Sequence, residues 1–301
     1  PTRRRVKTMK VALTGATGFI GSHVLAELRE HGHEVVALVH NEAGAKTAEA
    51  NGATPVVVDL ADRARVAQLL ADTDGAVHTA SPGDATSADV DNAVVDAVIE
   101  AYAGTGKPYV QISGLWVYGD NTAITEDSPF RAPAMVAWKE PIERRILAAD
   151  GPRTTILVSS VAYGDGGGAV PGALLGSPRD ESGKLIMLGD GRQHWSTVHA
   201  ADLATAFRLA LETDDARGYY VLGDGSNPTV AEITEAVAVA VGAPGAVPGS
   251  VEEAKSRFGE YFAEVLLLDQ STAAEKAQRE LGWRPTRPSL VEEFRHGSYR
   301  Q

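Results

Sequence analysis

The stretch that most constrains this chain reads K-V-A-L-T-G-A-T-G-F-I-G over residues 10–21. Residues 10–14 have the apolar, β-branched character of a short buried strand, and residues 22–30 form an amphipathic helical run. Between them stand Gly15, Gly18 and Gly21. One glycine lets the chain turn sharply, the next lets backbone approach a pyrophosphate, and the last lets the helix pack closely on its strand. A phosphate held there meets unpaired N–H groups at the positive end of the helix. Strand, turn and helix are all present, so the stretch reads as a dinucleotide-binding turn, with Gly15, Thr17, Gly18, Phe19 and Ile20 against the ligand.

Composition narrows the setting. A chain of 301 residues, 44% hydrophobic and 23% charged, can bury a large core as one domain with a lobe or two joined domains. The formal net charge of −12 argues against nucleic acid or an anionic membrane as partner. With no cysteine, disulfides, thiolate metal sites and a cysteine nucleophile are excluded. No run approaches a membrane span and no secretory segment precedes the first strand, so a cytoplasmic enzyme acting on a small molecule is expected. Residues 1–9, with Arg3, Arg4 and Arg5, read as a solvated leader, with Met9 as the natural start.

Residues 34–39 read as a second strand, ending at His40-Asn41 with Lys46 beyond. An NAD-preferring site usually places a carboxylate there for the ribose 2′-OH. Its absence, with a histidine able to donate, favours NADP (NADPH), with NAD possible. Residues 54–58 are a third strand, followed by Asp59-Leu60 where an adenine edge would lie. Residues 76–79 are a fourth, leading from Thr79 into the ligand-facing loop Ala80-Ser81-Pro82-Gly83. A helix over 88–102 carries Val90, Val94, Ala97, Val98 and Ala101, and strands are expected at 109–113 and 154–159. This alternation predicts an α/β fold, a Rossmann doubly wound parallel sheet with ligands at its carboxyl ends. The expected boundaries are 9–163 for the dinucleotide-binding domain, with 194–212 returning to it. A smaller C-terminal substrate-binding lobe takes 164–193 and 213–301.

The chain resembles the extended short-chain dehydrogenase/reductase family, which includes NAD-dependent epimerase/dehydratase-like members. The matching residues are 14–21, Asp59-Leu60, Val117-Tyr118-Gly119, Tyr163-Gly164, Val198-His199 with Asp202-Leu203, and Leu281-Gly282-Trp283. The resemblance implies a nicotinamide dinucleotide, a homodimer through helices near 88–102 and 134–149, and chemistry resting on Ser/Thr, Tyr and Lys. Tyr and Lys lie four apart on one helix, hence on one face. The matching segment here is Met135-Val136-Ala137-Trp138-Lys139: the lysine is present as a ribose clamp and Met135 takes the tyrosine's place. The family's serine position is Gly114, with Ser113 one step off and so on the opposite strand face. Trp195 replaces an Arg common in sugar-nucleotide members, and Val158-Ser159 replaces Arg-Pro. Both changes favour a smaller or more apolar substrate.

Hydride addition to a ketone creates an alkoxide that needs a proton donor, whereas a protonated imine brings its own proton and yields a neutral amine. Losing Tyr and Ser while keeping the glycine turn and Lys139 therefore points to an imine or iminium reductase. Met135, Trp116, Trp138 and Trp195 suit a cationic substrate. The alternative is a carbonyl reductase with another acid, for which Tyr163 is best placed, ahead of Tyr118, His194 and His199. The substrate-facing set is Trp116, Met135, Tyr163 and Trp195. A further alternative is a non-catalytic NADP-binding regulator. His199 is expected to be structural. No metal is implied, for no His or carboxylate cluster has ligand spacing. Glu126-Asp127 reads as a solvated loop, and Pro141 as a kink or a first helical turn. Glu143, Arg144 and Arg145 read as a solvated helix face.

Overall fold

The computed structural model describes residues 7–301; positions 1–6, with the three leader arginines, lie outside them. β1 (Lys10–Thr14) is buried after its first residue, and the chain turns through Gly15 into α1 (Phe19–Glu30), which buries Val24, Leu25 and Leu28. The alternation continues with β2 (Glu34–Val39), α2 (Glu42–Ala50), β3 (Thr54–Val57), α3 (Arg63–Ala71), β4 (Gly75–His78), α4 (Ser87–Ala101) and β5 (Pro108–Gly114). Side-chain caps start several of these helices: Asn41 Oδ1 accepts from Gly44 N–H at 2.8 Å and Asp62 Oδ1 from Arg65 N–H at 3.1 Å.

A 3-10 turn (Leu115–Tyr118) then leads to β6 (Asn121–Ile124), α5 (Lys139–Ala148), β7 (Arg153–Ser159), β8 (Val161–Tyr163), α6 (Ala169–Leu175), β9 (Leu185–Ile186) and β10 (Thr197–His199). The remainder is α7 (Ala200–Glu212), β11 (Gly218–Leu222), α8 (Val230–Ala240), β12 (Ala246–Val247), α9 (Val251–Phe258), α10 (Glu260–Leu266), β13 (Gln270–Thr272), α11 (Glu275–Leu281) and α12 (Leu290–His296). Among the described residues no helix is long and apolar enough to cross a membrane.

Seven strands form one sheet in the order β11-β7-β5-β4-β1-β2-β3, every neighbour parallel. Strand order reverses between β1 and β4, and a doubly wound sheet opens its ligand crevice there, at the carboxyl ends. Register sets Thr14 beside His78 and His78 beside Gln111. One face buries Leu25, Leu28, Phe207 and Trp283 under α1, α7 and α11; the other buries Tyr102, Tyr109, Ile142 and Ile146 under α4 and α5. A third core joins Tyr163, Trp195, Ile233, Leu266 and Phe294 in the lobe over the sheet's end.

Two sequence expectations are corrected. The return to the main domain does not stop at 212: β11 pairs with β7 from Gly218↔Thr155 to Leu222↔Ser159, and Ala277, Leu281 and Trp283 pack into the α1–α7 core. Nor is 134–149 one helix. Residues 134–138 are a turn in which the Val136 and Ala137 N–H groups both reach Pro133 O, and α5 begins at Lys139. Pro141 therefore lies in the first helical turn, where its missing donor costs nothing.

Candidate active site

A cleft of about 1100 Å³ opens at the carboxyl ends of the strands. At one end it is walled by the glycine turn. Gly15 has φ +73°, and a Cβ there would stand 2.6 Å from Thr79 Oγ1 and 2.7 Å from Ala80 N. A Cβ on Gly21 would lie 1.8 Å from Gly15 O, so turn and helix touch backbone to backbone. Gly18 caps α1 without a side-chain acceptor, which leaves its first N–H groups for an anion. Thr14 braces the opposite lip: Thr14 Oγ1 accepts from Thr79 N–H (3.1 Å) and Ala80 N–H (3.2 Å), while Thr79 Oγ1 donates to Thr14 O (2.7 Å). Thr17, Phe19, Ile20, His40, Asp59, Leu60 and Ser81 complete this end. The cradle fits a pyrophosphate: side chains are absent where backbone must come close.

The other end is furnished differently. Trp116, Val161, Val170 and Trp195 give it apolar walls, and its polar groups are spoken for. Trp195 Nε1–H donates to Leu266 O at 3.0 Å and Ser159 Oγ to Ser160 O at 2.7 Å. Ser160 Oγ donates toward Leu222 O (2.6 Å) and Ser196 Oγ (2.8 Å), its single proton shared between the two acceptors. Gln270 Nε2 donates to Leu115 O (2.9 Å) and Gly119 O (2.8 Å). Ser113 is the exception: its Oγ is buried with no partner. Among the described lining residues only His40 and Asp59 are ionisable, both in the half beside β2 and β3, and none is Lys or Arg.

Beneath the cleft runs a hydrogen-bonded chain. Thr14 Oγ1 meets His78 Nδ1 at 2.6 Å, His78 Nε2 meets Asp91 Oδ1 at 2.8 Å, and Asp91 Oδ2 stands 3.9 Å from Lys139 Nζ. Because Thr14 Oγ1 already accepts two N–H groups, its proton goes to Nδ1, which assigns His78 the Nε2–H tautomer donating to Asp91.

Residues 11–223 match the model of the NAD dependent epimerase/dehydratase family. The chain belongs to that family. An uncharacterised protein of Schizosaccharomyces pombe is 31% identical over 297 residues, covering 97% of this chain and 100% of that protein. Among solved structures, human epimerase family protein SDR39U1 with NADPH superposes with a TM-score of 0.76 at 21% identity, covering 96% of this chain and 99% of that one. The Thermus thermophilus UDP-glucose 4-epimerase complex with NAD gives 0.73 at 23% identity, covering 96% and 99%. Membership makes the protein an NAD(P)-dependent oxidoreductase of the epimerase/dehydratase type with the extended short-chain dehydrogenase/reductase fold.

The residues singled out from sequence divide sharply against this family frame. The dinucleotide set from Gly15 to Ser81, with Trp116 and Trp195, lines the one cleft. Met135, Lys139, Tyr163 and His194 do not. Met135 is 39% exposed on the turn before α5. The Lys139 ammonium, directed to Asp91, also lies 4.4 Å from the Trp138 ring centre. Tyr163 is fully buried in the lobe core; its hydroxyl faces Pro288 O at 2.7 Å and Asp224 Oδ2 at 3.1 Å, and burial pushes its pKa far up. His194 pairs through Nδ1 with Asp269 Oδ1 at 2.9 Å on a half-exposed surface. Tyr118 is buried, with its pKa raised by burial. His199 caps α7 by accepting from Ala201 N–H at 3.0 Å.

Sequence reasoning also missed residues. Ser160, Ser196 and Gln270 line the cleft through lobe and sheet contacts that no local motif signals. Glu143 is not on a solvated face but 0% exposed, while Arg144 and Arg145 are exposed as expected. The available signal was helical spacing: Lys139 and Glu143 are four apart and share the inner face with Ile142 and Ile146. Glu126 is likewise no free loop carboxylate, since its Oε1 accepts from Val221 N–H at 2.8 Å.

Proposed function

We propose that this protein uses NADPH in preference to NADH to reduce the C=N bond of a small, apolar imine or iminium. One observation carries the reading: the half of the cleft away from His40 and Asp59 is apolar and holds no ionisable side chain. The bound nicotinamide supplies the hydride. Around it, Trp116 and Trp195 supply apolar walls, and Ser159, Ser160 and Gln270 spend their protons on neighbouring protein carbonyls rather than offering them to substrate. A ketone reduced there would need an acid, worth typically about 10²–10⁴-fold in rate. An iminium carries its proton and becomes neutral on reduction, so positioning and a site tolerant of a cation suffice. The net charge of −12 and the absence of Lys and Arg from the described lining residues favour such a substrate over a nucleotide-sugar diphosphate.

Carbonyl reduction with Tyr163 as acid is disfavoured, because its hydroxyl is engaged by Pro288 O and Asp224 in the lobe core. The preference for NADPH rests on His40, exposed in the cleft where a carboxylate would repel a 2′-phosphate, and accords with the NADPH in the human SDR39U1 structure. The test is nicotinamide oxidation with matched cyclic imines and ketones, each with NADPH and NADH. Turnover of imines alone, faster with NADPH, supports the reading. Turnover of ketones at equal speed refutes it, and cofactor binding with no turnover of either would make the protein a nicotinamide-responsive regulator.

A further inference from the structure

The strands of the central sheet carry Gly75, Gly114 and Gly218, and two of these have a structural reason. Gly218 opens β11 in the left-handed region, at φ +79°. Gly75, in β4, is walled in: a Cβ there would stand 3.0 Å from Pro108 Cγ and 3.1 Å from Met9 Cε. Gly114, the last residue of β5, has neither reason. Its φ of −126° and ψ of 147° are extended backbone open to any residue. Outside its chain neighbours, no atom lies within 4 Å of where its Cβ would stand. It also keeps its place in the sheet, in register with Ser159 of β7. Glycine weakens a strand, and one that makes no bulge or bend marks a place where something approaches the backbone closely. Gly114 is part of the cleft wall, so the approach is from the cleft.

The neighbouring wall keeps that space apolar and open. Leu115 and Trp116 follow Gly114 along the lining, and Ser159 spends its hydroxyl on Ser160 O at 2.7 Å. Both cleft indoles are tied to α10. Trp116 meets Phe262 edge-on, with ring centres 6.1 Å apart and planes at 69°, and Trp195 Nε1–H donates to Leu266 O at 3.0 Å. Phe262 is itself packed edge-on against Phe258, with centres 5.6 Å apart. These contacts oppose either indole turning inward to fill the space.

We propose that Gly114 is the residue that sets acceptor size, and that its missing side chain makes room for an aromatic ring fused to the imine. The inference rests on the C=N reading of the same cleft and names the substrate class within it: aryl-fused cyclic imines over small monocyclic ones. The ring lies over bare backbone at the end of β5, with Trp116 beside it. A Cβ at position 114 takes up that room. One methyl group more or less in an apolar pocket changes discrimination by about 10–200-fold.

The test compares two six-membered imines, dihydroisoquinoline and the monocyclic tetrahydropyridine that lacks its fused ring. The wild type should favour the first in kcat/KM. The ratio of kcat/KM on the fused imine to that on the monocyclic one should fall about 10-fold in Gly114→Ala and about 10²-fold in Gly114→Val. Dinucleotide affinity, read by nicotinamide fluorescence, should stay within about twofold. Equal losses on both imines, an unchanged ratio, or a parallel loss of dinucleotide affinity overturns the assignment while leaving C=N reduction standing. Tetralone and cyclohexanone, run alongside, separate the two readings. Turnover of ketones alone, with the same fall in ratio, sinks C=N reduction and keeps Gly114 as the size determinant. No turnover of any acceptor overturns both. Gly114→Ala, which adds one methyl group to open space, decides the matter if Gly114→Val does not fold.

Discussion

Lys139 Nζ stands 3.9 Å from Asp91 Oδ2, and the other oxygen of that carboxylate accepts from His78 Nε2 at 2.8 Å. The lysine is thus tied, through Asp91, His78 and Thr14, to the loop that carries Thr79 and Ala80. Asp91→Ala should destabilise the fold by about 1–3 kcal/mol, because the buried His78 N–H is left unpaired. Urea unfolding measures it, and dinucleotide affinity should weaken in parallel as the Thr79–Ala80 lip loosens. A loss of stability with unchanged affinity would separate the chain from the lip.

Gly21→Ala reverses the usual helix rule. Alanine inside a helix normally stabilises by about 1 kcal/mol relative to glycine, but here its Cβ would lie 1.8 Å from Gly15 O. The turn must move away, so dinucleotide affinity, followed by nicotinamide fluorescence, should fall by about 10²-fold or more. Affinity within twofold of wild type would mean that the turn does not hold the pyrophosphate.

Tyr163→Phe should keep turnover within about twofold and lose about 1 kcal/mol of stability, the typical worth of the hydrogen bond to Pro288 O. Thermal unfolding and steady-state kinetics read the two effects. A large loss of kcat with unchanged stability would return Tyr163 to the chemistry.

Glu143 makes stability depend on pH with a definite sign. Its folded pKa is raised above the ordinary 4.5, so the folded state binds the proton more tightly than the unfolded chain. The stabilisation is full below about pH 4.5 and is lost as pH rises through the folded value. Glu143→Gln should therefore flatten the decline in stability across the weakly acid to neutral range, seen as a smaller drop in urea midpoint. An unchanged slope would mean that Glu143 titrates normally.

Met135→Tyr alone should leave ketone turnover unchanged, since position 135 is exposed on a turn outside the cleft wall. Gly114→Ser should be well tolerated. Its backbone is extended, at φ −126° and ψ 147°, there is open space for the side chain, and replacing glycine stiffens the unfolded chain by about 0.4–1 kcal/mol. Ketone kinetics and the unfolding midpoint of each variant check both statements.

The sequence by itself determined the glycine turn, the β–α alternation and which residues from Gly15 to Ser81 line one end of the cleft. Each of these is written in neighbouring residues: positive φ at Gly15, backbone contact at Gly21, and strand periods flanked by helical ones. Only the tertiary structure decided what Lys139, Tyr163 and Glu143 do. Helical spacing puts Lys139 and Glu143 on one face of α5, but whether that face meets water or β5 depends on strands drawn from elsewhere in the chain. β11 joins the sheet by pairing with β7, some sixty residues earlier, and so brings Tyr219 over Glu143. The Tyr163 hydroxyl is likewise claimed by Pro288, 125 residues further along. The fate of a polar side chain is set by which distant groups desolvate or pair with it, and no local pattern carries that information.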